Sequence, residues 1–132
     1  MAKQDTVDDL DVAVAGVMAR QYAEGSKGFL ASLAWLLEQA LPGEAELTRK
    51  GLFGGAKRPL TKLVVTLGET KFTLEAPERG PLVATKTQIV RGIALKNETI
   101  PVEEWIIALS AGIAARAETS KAAHNALASL LR

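Results

Sequence analysis

The chain contains no cysteine among its 132 residues and a single histidine, His124. Without cysteine it forms no disulfide, and it offers neither a thiolate nucleophile nor the thiolate ligands of a structural zinc site. A histidine-based catalytic arrangement would have to use His124, yet no nucleophile-bearing loop accompanies it in the sequence. These absences predict a protein that is not an enzyme and that carries no metal or other cofactor.

Long apolar runs are also missing. No stretch reaches the roughly 18 to 20 residues of a membrane helix, and residues 1–14 are acidic where a secretory leader would be basic. Hydrophobic residues still make up 48% of the chain, which is enough to bury the core of one domain of this length. We therefore expect a single cytoplasmic domain over residues 1–132. Frequent alanine and leucine with scarce asparagine favour a bacterial origin.

Charge is distributed unevenly along the chain, although the net charge is only +1. Residues 49–96 hold ten basic and three acidic side chains, a net of +7, whereas residues 1–48 have a net of −5 and residues 97–132 a net of −1. This asymmetry predicts either an anionic partner for the middle segment or a fold that places acidic helices beside a basic sheet.

The N-terminal segment, residues 1–45, has the pattern of a helical hairpin. Gly25 suits the end of the first helix, and Ser26 can cap the second. The second helix is predicted from about Lys27 to Leu41, where a Pro-Gly pair stops it. Its apolar stripe comprises Leu30, Leu33, Leu36, Leu37, Ala40 and Leu41.

The basic segment, residues 46–100, changes to the period of two that is typical of strands. Its clearest element is a hairpin in which Lys62–Leu67 and Thr70–Glu75 flank Gly68-Glu69. Glycine at the first turn position supplies the positive φ of a type II′ turn. The core-facing pairs predicted by this register are Leu63 with Leu74, Val65 with Phe72, and Leu67 with Thr70.

Weaker patterns on both sides of this hairpin complete a predicted β-meander of about four antiparallel strands. Leu47–Phe53 is a candidate strand upstream, and Leu82–Leu95 is one long or two short strands with a bend near Gly92. A C-terminal helix over residues 101–132 follows, since Gly112 is its one interruption. The predicted fold class is therefore α+β, with a helical hairpin, an antiparallel sheet and a long C-terminal helix.

Several apolar side chains fall outside the predicted core and are candidates for an interface. Trp35 lies among polar residues on its helix, and Ile107 lies off the apolar stripe of the C-terminal helix. A helix of about 30 residues spans about 45 Å, more than a small sheet covers. Its far end, with Leu127, Leu130 and Leu131, therefore needs the N-terminal hairpin or a second subunit to cover it.

The basic segment also contains candidate anion ligands. Residues 51–58 combine glycines with two cations, but their spacing does not match a phosphate-binding loop. The aromatic residues of the segment are Phe53 and Phe72, whereas base stacking on a sheet needs several exposed rings. The candidates for binding a polyanion, either nucleic acid or acidic lipid, are Arg49, Lys50, Lys57, Arg58 and Lys62. The candidates for a small-anion pocket are Arg91, Arg116 and His124.

These patterns favour a non-catalytic assembly or adaptor module that acts through protein–protein contact. Its helices would form a homo-oligomeric interface, and its basic sheet would be open to an acidic partner. A binder of polyanions and a small-anion pocket are the alternatives. The salt dependence of binding distinguishes a polyanion binder from an apolar interface, because phosphate contacts weaken steeply as salt rises, whereas apolar contacts persist.

Overall fold

The computed structural model describes the backbone of residues 2–51 and 58–131, and the side chains of residues 10–51 and 58–131. In these ranges the chain forms four helices and one five-stranded antiparallel sheet, which confirms the α+β class. None of the described helices has the length and apolar content required to cross a membrane. In chain order the elements are α1 (Ala2–Glu24), α2 (Ser26–Ala40), β1 (Ala45–Arg49), β2 (Leu60–Leu67), β3 (Thr70–Glu75), β4 (Val83–Val90), β5 (Ile93–Ile100), α3 (Val102–Ala117) and α4 (Lys121–Leu130).

The sheet is a meander in which each strand pairs with the next. It has five strands rather than about four, because the chain reverses at Arg91-Gly92 and β5 then continues to Ile100. Both turn residues have positive φ, 53° at Arg91 and 80° at Gly92. Positive φ at both central residues is typical of a type I′ turn, whose twist matches that of the flanking strands.

The β2–β3 hairpin has the register that the sequence predicts. Gly68 has a φ of 62° and Glu69 is not in the positive region, as a type II′ turn requires. Strand β1 spans Ala45–Arg49, so it both begins and ends earlier than the predicted Leu47–Phe53 strand. Residues 52–57 lie outside the described ranges.

Helices α1 and α2 pack against each other, and the break between them falls at Gly25 as predicted. The predicted cap at Ser26 is wrong, because Gly25 takes the N-cap position and no side chain accepts a hydrogen bond there. The predicted apolar stripe of α2 is buried throughout, and the helix contacts β1 and β2.

The C-terminal segment forms two helices instead of the single helix predicted for residues 101–132. Helix α3 ends at Ala117, and Ser120 is extended before α4, where its Oγ accepts a hydrogen bond of 3.2 Å from the backbone N–H of Ala123. Serine is a strong N-cap residue, so it starts a new helix without proline or glycine. Helix α4 packs against α2 and α3.

Helix α3 is held on the sheet by one large aromatic contact. Trp105 is fully buried and meets Phe72 edge to face, with 6.0 Å between the ring centroids. Its Nε1 donates to the carbonyl of Thr85 at 3.2 Å. Further along α3, Gly112 lies so close to β2 that an added Cβ would be 3.0 Å from Cδ1 of Leu67. The helix therefore lies over β2 to β4 and leaves β5 exposed.

Candidate interaction surfaces

The described basic residues of the middle segment lie on both faces of the sheet. Residues opposite each other on neighbouring antiparallel strands point to the same side. Lys86 is opposite Phe72, whose ring packs against α3, so Lys86 belongs to the helix-facing side. Lys62 and Lys71 alternate with the core residues of β2 and β3 and point to the other side. The positive charge is therefore divided between the two faces.

Three of the predicted polyanion ligands, Arg49, Lys50 and Arg58, lie together where β1 leads toward β2, and we call them the basic cluster. Arg49 donates from Nη1 to the carbonyl of Arg58 at 3.0 Å, and Arg58 donates to the carbonyl of Gly51. Lys50 forms an ion pair of 2.7 Å with Glu78. The hydrogen bond from Lys50, followed by its positive charge, lowers the pKa of the Glu78 carboxyl. Lys57 is outside the described residues.

Lys62, the remaining predicted polyanion ligand, lines a groove next to the basic cluster. Two carboxylates, Glu75 and Glu78, line the same groove, so it is not uniformly positive. The groove has a volume of about 460 Å³, and its lining residues are Thr48, Lys50, Thr61, Lys62, Glu75, Ala76, Pro77 and Glu78.

The three residues of the predicted small-anion pocket have separate surroundings. Arg116 donates from Nη1 to both carboxylate oxygens of Glu44, at 2.7 and 2.9 Å. Arg91 is exposed in the β4–β5 turn, and His124 is exposed on α4. Within the described residues no hydrogen bond or ion pair connects the three. The guanidinium of Arg116 has a carboxylate partner within the chain.

The helical side of the molecule presents Trp35, which is 44% exposed, as its position on the helical wheel predicts. Its ring borders a groove between α2 and α4 with a volume of about 240 Å³, which we call the α2–α4 groove. The lining residues are Trp35, Gln39, Ala122, Asn125, Ala126 and Ser129. An aromatic side chain on a surface depleted of charge is typical of the centre of a protein–protein interface.

The other predicted interface residues divide into exposed and buried ones. Ile107 is 58% exposed on α3, and Leu131 is exposed at the end of α4. Leu127 is fully buried in the core and Leu130 packs partly against it, so neither forms an outer contact surface. The reason is the break before Ser120, which lets α4 fold back onto α2 instead of projecting away from the sheet.

Strand β5 is a surface that sequence reasoning missed. Every residue from Ile93 to Thr99 is exposed, including Ile93 at 64% and Leu95 at 60%. The predicted strand ended at Leu95, because the polar run after it does not alternate with apolar residues. The β-branched pair Thr99-Ile100 was the remaining signal that the strand continues.

A scan against protein-family models, a search of curated proteins and a search of solved structures found no match to this chain.

Proposed function

We propose that the chain is a non-catalytic assembly module that binds a second copy of itself through the α2–α4 groove. The observation that carries this proposal is the exposed ring of Trp35 beside a groove lined by uncharged side chains. Single exposed apolar residues are ordinary on protein surfaces. Tryptophan is different, since it is enriched among the few residues that supply most of the binding energy of an interface.

The small side chains of α4 support the same contact. Ala122, Ala126 and Ser129 line the groove, so a helix of a second copy can approach α4 closely, and Trp35 then supplies the large buried surface. Truncating an interface anchor costs about 2 kcal/mol or more, which corresponds to about a 30-fold weaker Kd.

Light scattering with the Trp35→Ser variant tests the proposal. We expect the unmodified chain to have a mass above that of a monomer at tens of micromolar, and we expect Trp35→Ser to lower that mass. Ile107→Ser is the matched control, because Ile107 is also apolar and exposed but lies on α3 outside the groove. A monomeric chain, or an assembly that Trp35→Ser leaves unchanged, contradicts the proposal.

Fluorescence gives a second readout, since the chain has two tryptophans in different surroundings. Trp105 is fully buried, so acrylamide quenching reports on Trp35. Quenching should decrease as protein concentration rises and the groove is covered. Equal quenching at low and high concentration would mean that Trp35 stays in water.

A second candidate function is polyanion binding at the basic cluster. It is favoured by the grouping of Arg49, Lys50 and Arg58 at one end of the sheet. Binding of nucleic acid or acidic lipid there should fall steeply between about 50 and about 200 mM salt. Gel-shift and liposome-flotation assays at low salt test it, and a blank result in both removes this candidate.

A further inference from the structure

The two edges of the sheet differ in how much of the strand is open to solvent. Strand β1 has five residues with alternating burial and contacts α2. Strand β5 has eight residues, pairs with β4 on one side, and is exposed on both faces from Ile93 to Thr99. An edge strand presents a row of backbone N–H and C=O groups that can pair with another strand. The β5 edge therefore offers more unpaired backbone groups to another strand than the β1 edge does.

Two opposite charges lie close together on this edge. Glu98 is opposite Lys86, and Lys96 is opposite Gln88, which places both charges in the helix-facing row of β5. Within the described residues neither Lys96 nor Glu98 forms an ion pair. A lysine on an edge strand commonly discourages pairing with other chains. In β5, however, Lys96 is two residues from Glu98. When two copies of this strand pair antiparallel, the lysine of one copy can therefore lie opposite the glutamate of the other.

We propose that β5 pairs antiparallel with β5 of a second copy, in a register centred on Asn97. In this register Lys96 is opposite Glu98 of the partner subunit, and Glu98 is opposite Lys96 of the partner subunit. This contact is separate from the α2–α4 groove, and it goes beyond the proposed function because it gives a second copy a different site on the chain. The two sheets then form one continuous sheet across a two-fold axis.

Charge selects this register over its neighbours. Centring the pairing on Lys96 places two lysines opposite each other, and centring it on Glu98 places two glutamates opposite each other, both of which are unfavourable. In the Asn97 register, Glu98 lies between Lys86 of its own chain and Lys96 of the partner subunit. Strand β5 has a bulge at Leu95, and the two-fold axis falls in the regular part that follows it.

A single introduced cysteine tests the register, since the chain has none of its own. Residues directly opposite each other have Cα atoms about 4.5 to 5.5 Å apart, within the range that a disulfide spans. We expect Asn97→Cys to form a disulfide-linked dimer under mild oxidation. Thr99→Cys is the matched control on the same face. In this register its two copies are four residues out of line, about 13 Å apart, and cannot be linked.

Charge reversal provides the second arm of the test, in the Asn97→Cys background. Lys96→Glu and Glu98→Lys each place like charges opposite each other in a homodimer, and we expect each to reduce cross-linking by about tenfold or more. Mixing the two variants pairs a strand that has two carboxylates with a strand that has two ammonium groups. Opposite charges then face each other in both halves of the heterodimer, so cross-linking should return between the two chains. Circular dichroism of each variant establishes that the fold is retained.

The outcomes separate this proposal from the proposed function. Cross-linking at Asn97 but not Thr99, with recovery in the charge-reversed mixture, supports the β5 pairing. An assembly that Trp35→Ser disrupts, with no cross-link at Asn97 or with equal cross-linking at both positions, overturns the β5 pairing and leaves the proposed function standing. Cross-linking at Asn97 alone, in an assembly that Trp35→Ser leaves unchanged, overturns the proposed function and leaves the β5 pairing standing. A monomer by light scattering that also gives no cross-link overturns both.

Discussion

The contact between Gly112 of α3 and Leu67 of β2 yields the sharpest prediction about stability. Replacing glycine by alanine inside an exposed helix stabilises a protein by about 0.5–1 kcal/mol, because alanine loses less backbone entropy on folding. At Gly112 the new methyl would lie 3.0 Å from Cδ1 of Leu67, whereas carbon atoms prefer a separation of about 3.5–4.0 Å. Overpacking of a core typically costs about 1–3 kcal/mol. We therefore expect Gly112→Ala to destabilise the fold by about 1 kcal/mol.

Urea denaturation followed by circular dichroism measures this effect, and Gly16→Ala is the matched control. Gly16 lies within α1, is exposed, and has no atom within 4 Å of an added Cβ. Its alanine variant should therefore be more stable than the unmodified chain by about 0.5–1 kcal/mol. The two substitutions have the same chemistry, so the difference between them isolates the contact with β2.

A double-mutant cycle with Leu67→Ala identifies the contacting atom. Leu67→Ala alone should cost about 2–5 kcal/mol, as for other buried leucines. Combined with Gly112→Ala it should cost at least about 1 kcal/mol less than the sum, because the new methyl then fills part of the cavity. If Gly112→Ala stabilises the protein as much as Gly16→Ala does, or if the two changes are additive, the close packing of α3 on β2 is wrong.

Three further predictions concern polar contacts. The coupling between Arg116 and Glu44, whose side chains are 32% and 40% exposed, should be about 0.2–1 kcal/mol in a double-mutant cycle. A coupling too small to measure would contradict this ion pair. Lys50→Gln should raise the pKa of Glu78 toward its ordinary value in an NMR titration. Because the folded pKa is depressed, this pair stabilises the fold above the ordinary pKa, and its contribution is lost as pH falls through the folded pKa; an unchanged titration refutes the contact. Trp105→Phe should cost about 2–4 kcal/mol in urea denaturation, since a backbone carbonyl loses its donor and a void remains, and a cost below about 1 kcal/mol would contradict that packing.

Local sequence patterns were sufficient for elements whose neighbours along the chain decide their structure. The β2–β3 register follows from alternation on both strands and from a turn glycine with positive φ. The buried stripe of α2 and the exposure of Trp35 follow from helical spacing alone. These predictions hold because the same short segment contains both the pattern and the turn that limits it.

The extent of the C-terminal helix was not predictable in the same way. Ser120 resembles any other polar residue of an alanine-rich helix until the direction of the chain is known, and its role as a cap depends on the extended backbone before α4. With that break, Leu127 is buried against the N-terminal helices instead of being offered to a partner. Of the predicted interface residues, Trp35, Ile107 and Leu131 therefore remain exposed, and among them Trp35 borders the α2–α4 groove.

Local patterns in the chain predict the α+β class, the helical hairpin at the N-terminus, the central β-hairpin and the position of Trp35 outside the core. Three features depend on tertiary contacts instead: the positive charge lies on both faces of the sheet, Arg116 pairs with a carboxylate 72 residues away, and β5 is left uncovered. The difference lies in the distance along the chain over which each effect acts. Periodicity and turn chemistry act over a few residues, whereas the partner of a charge and the covering of an edge depend on where distant segments pack.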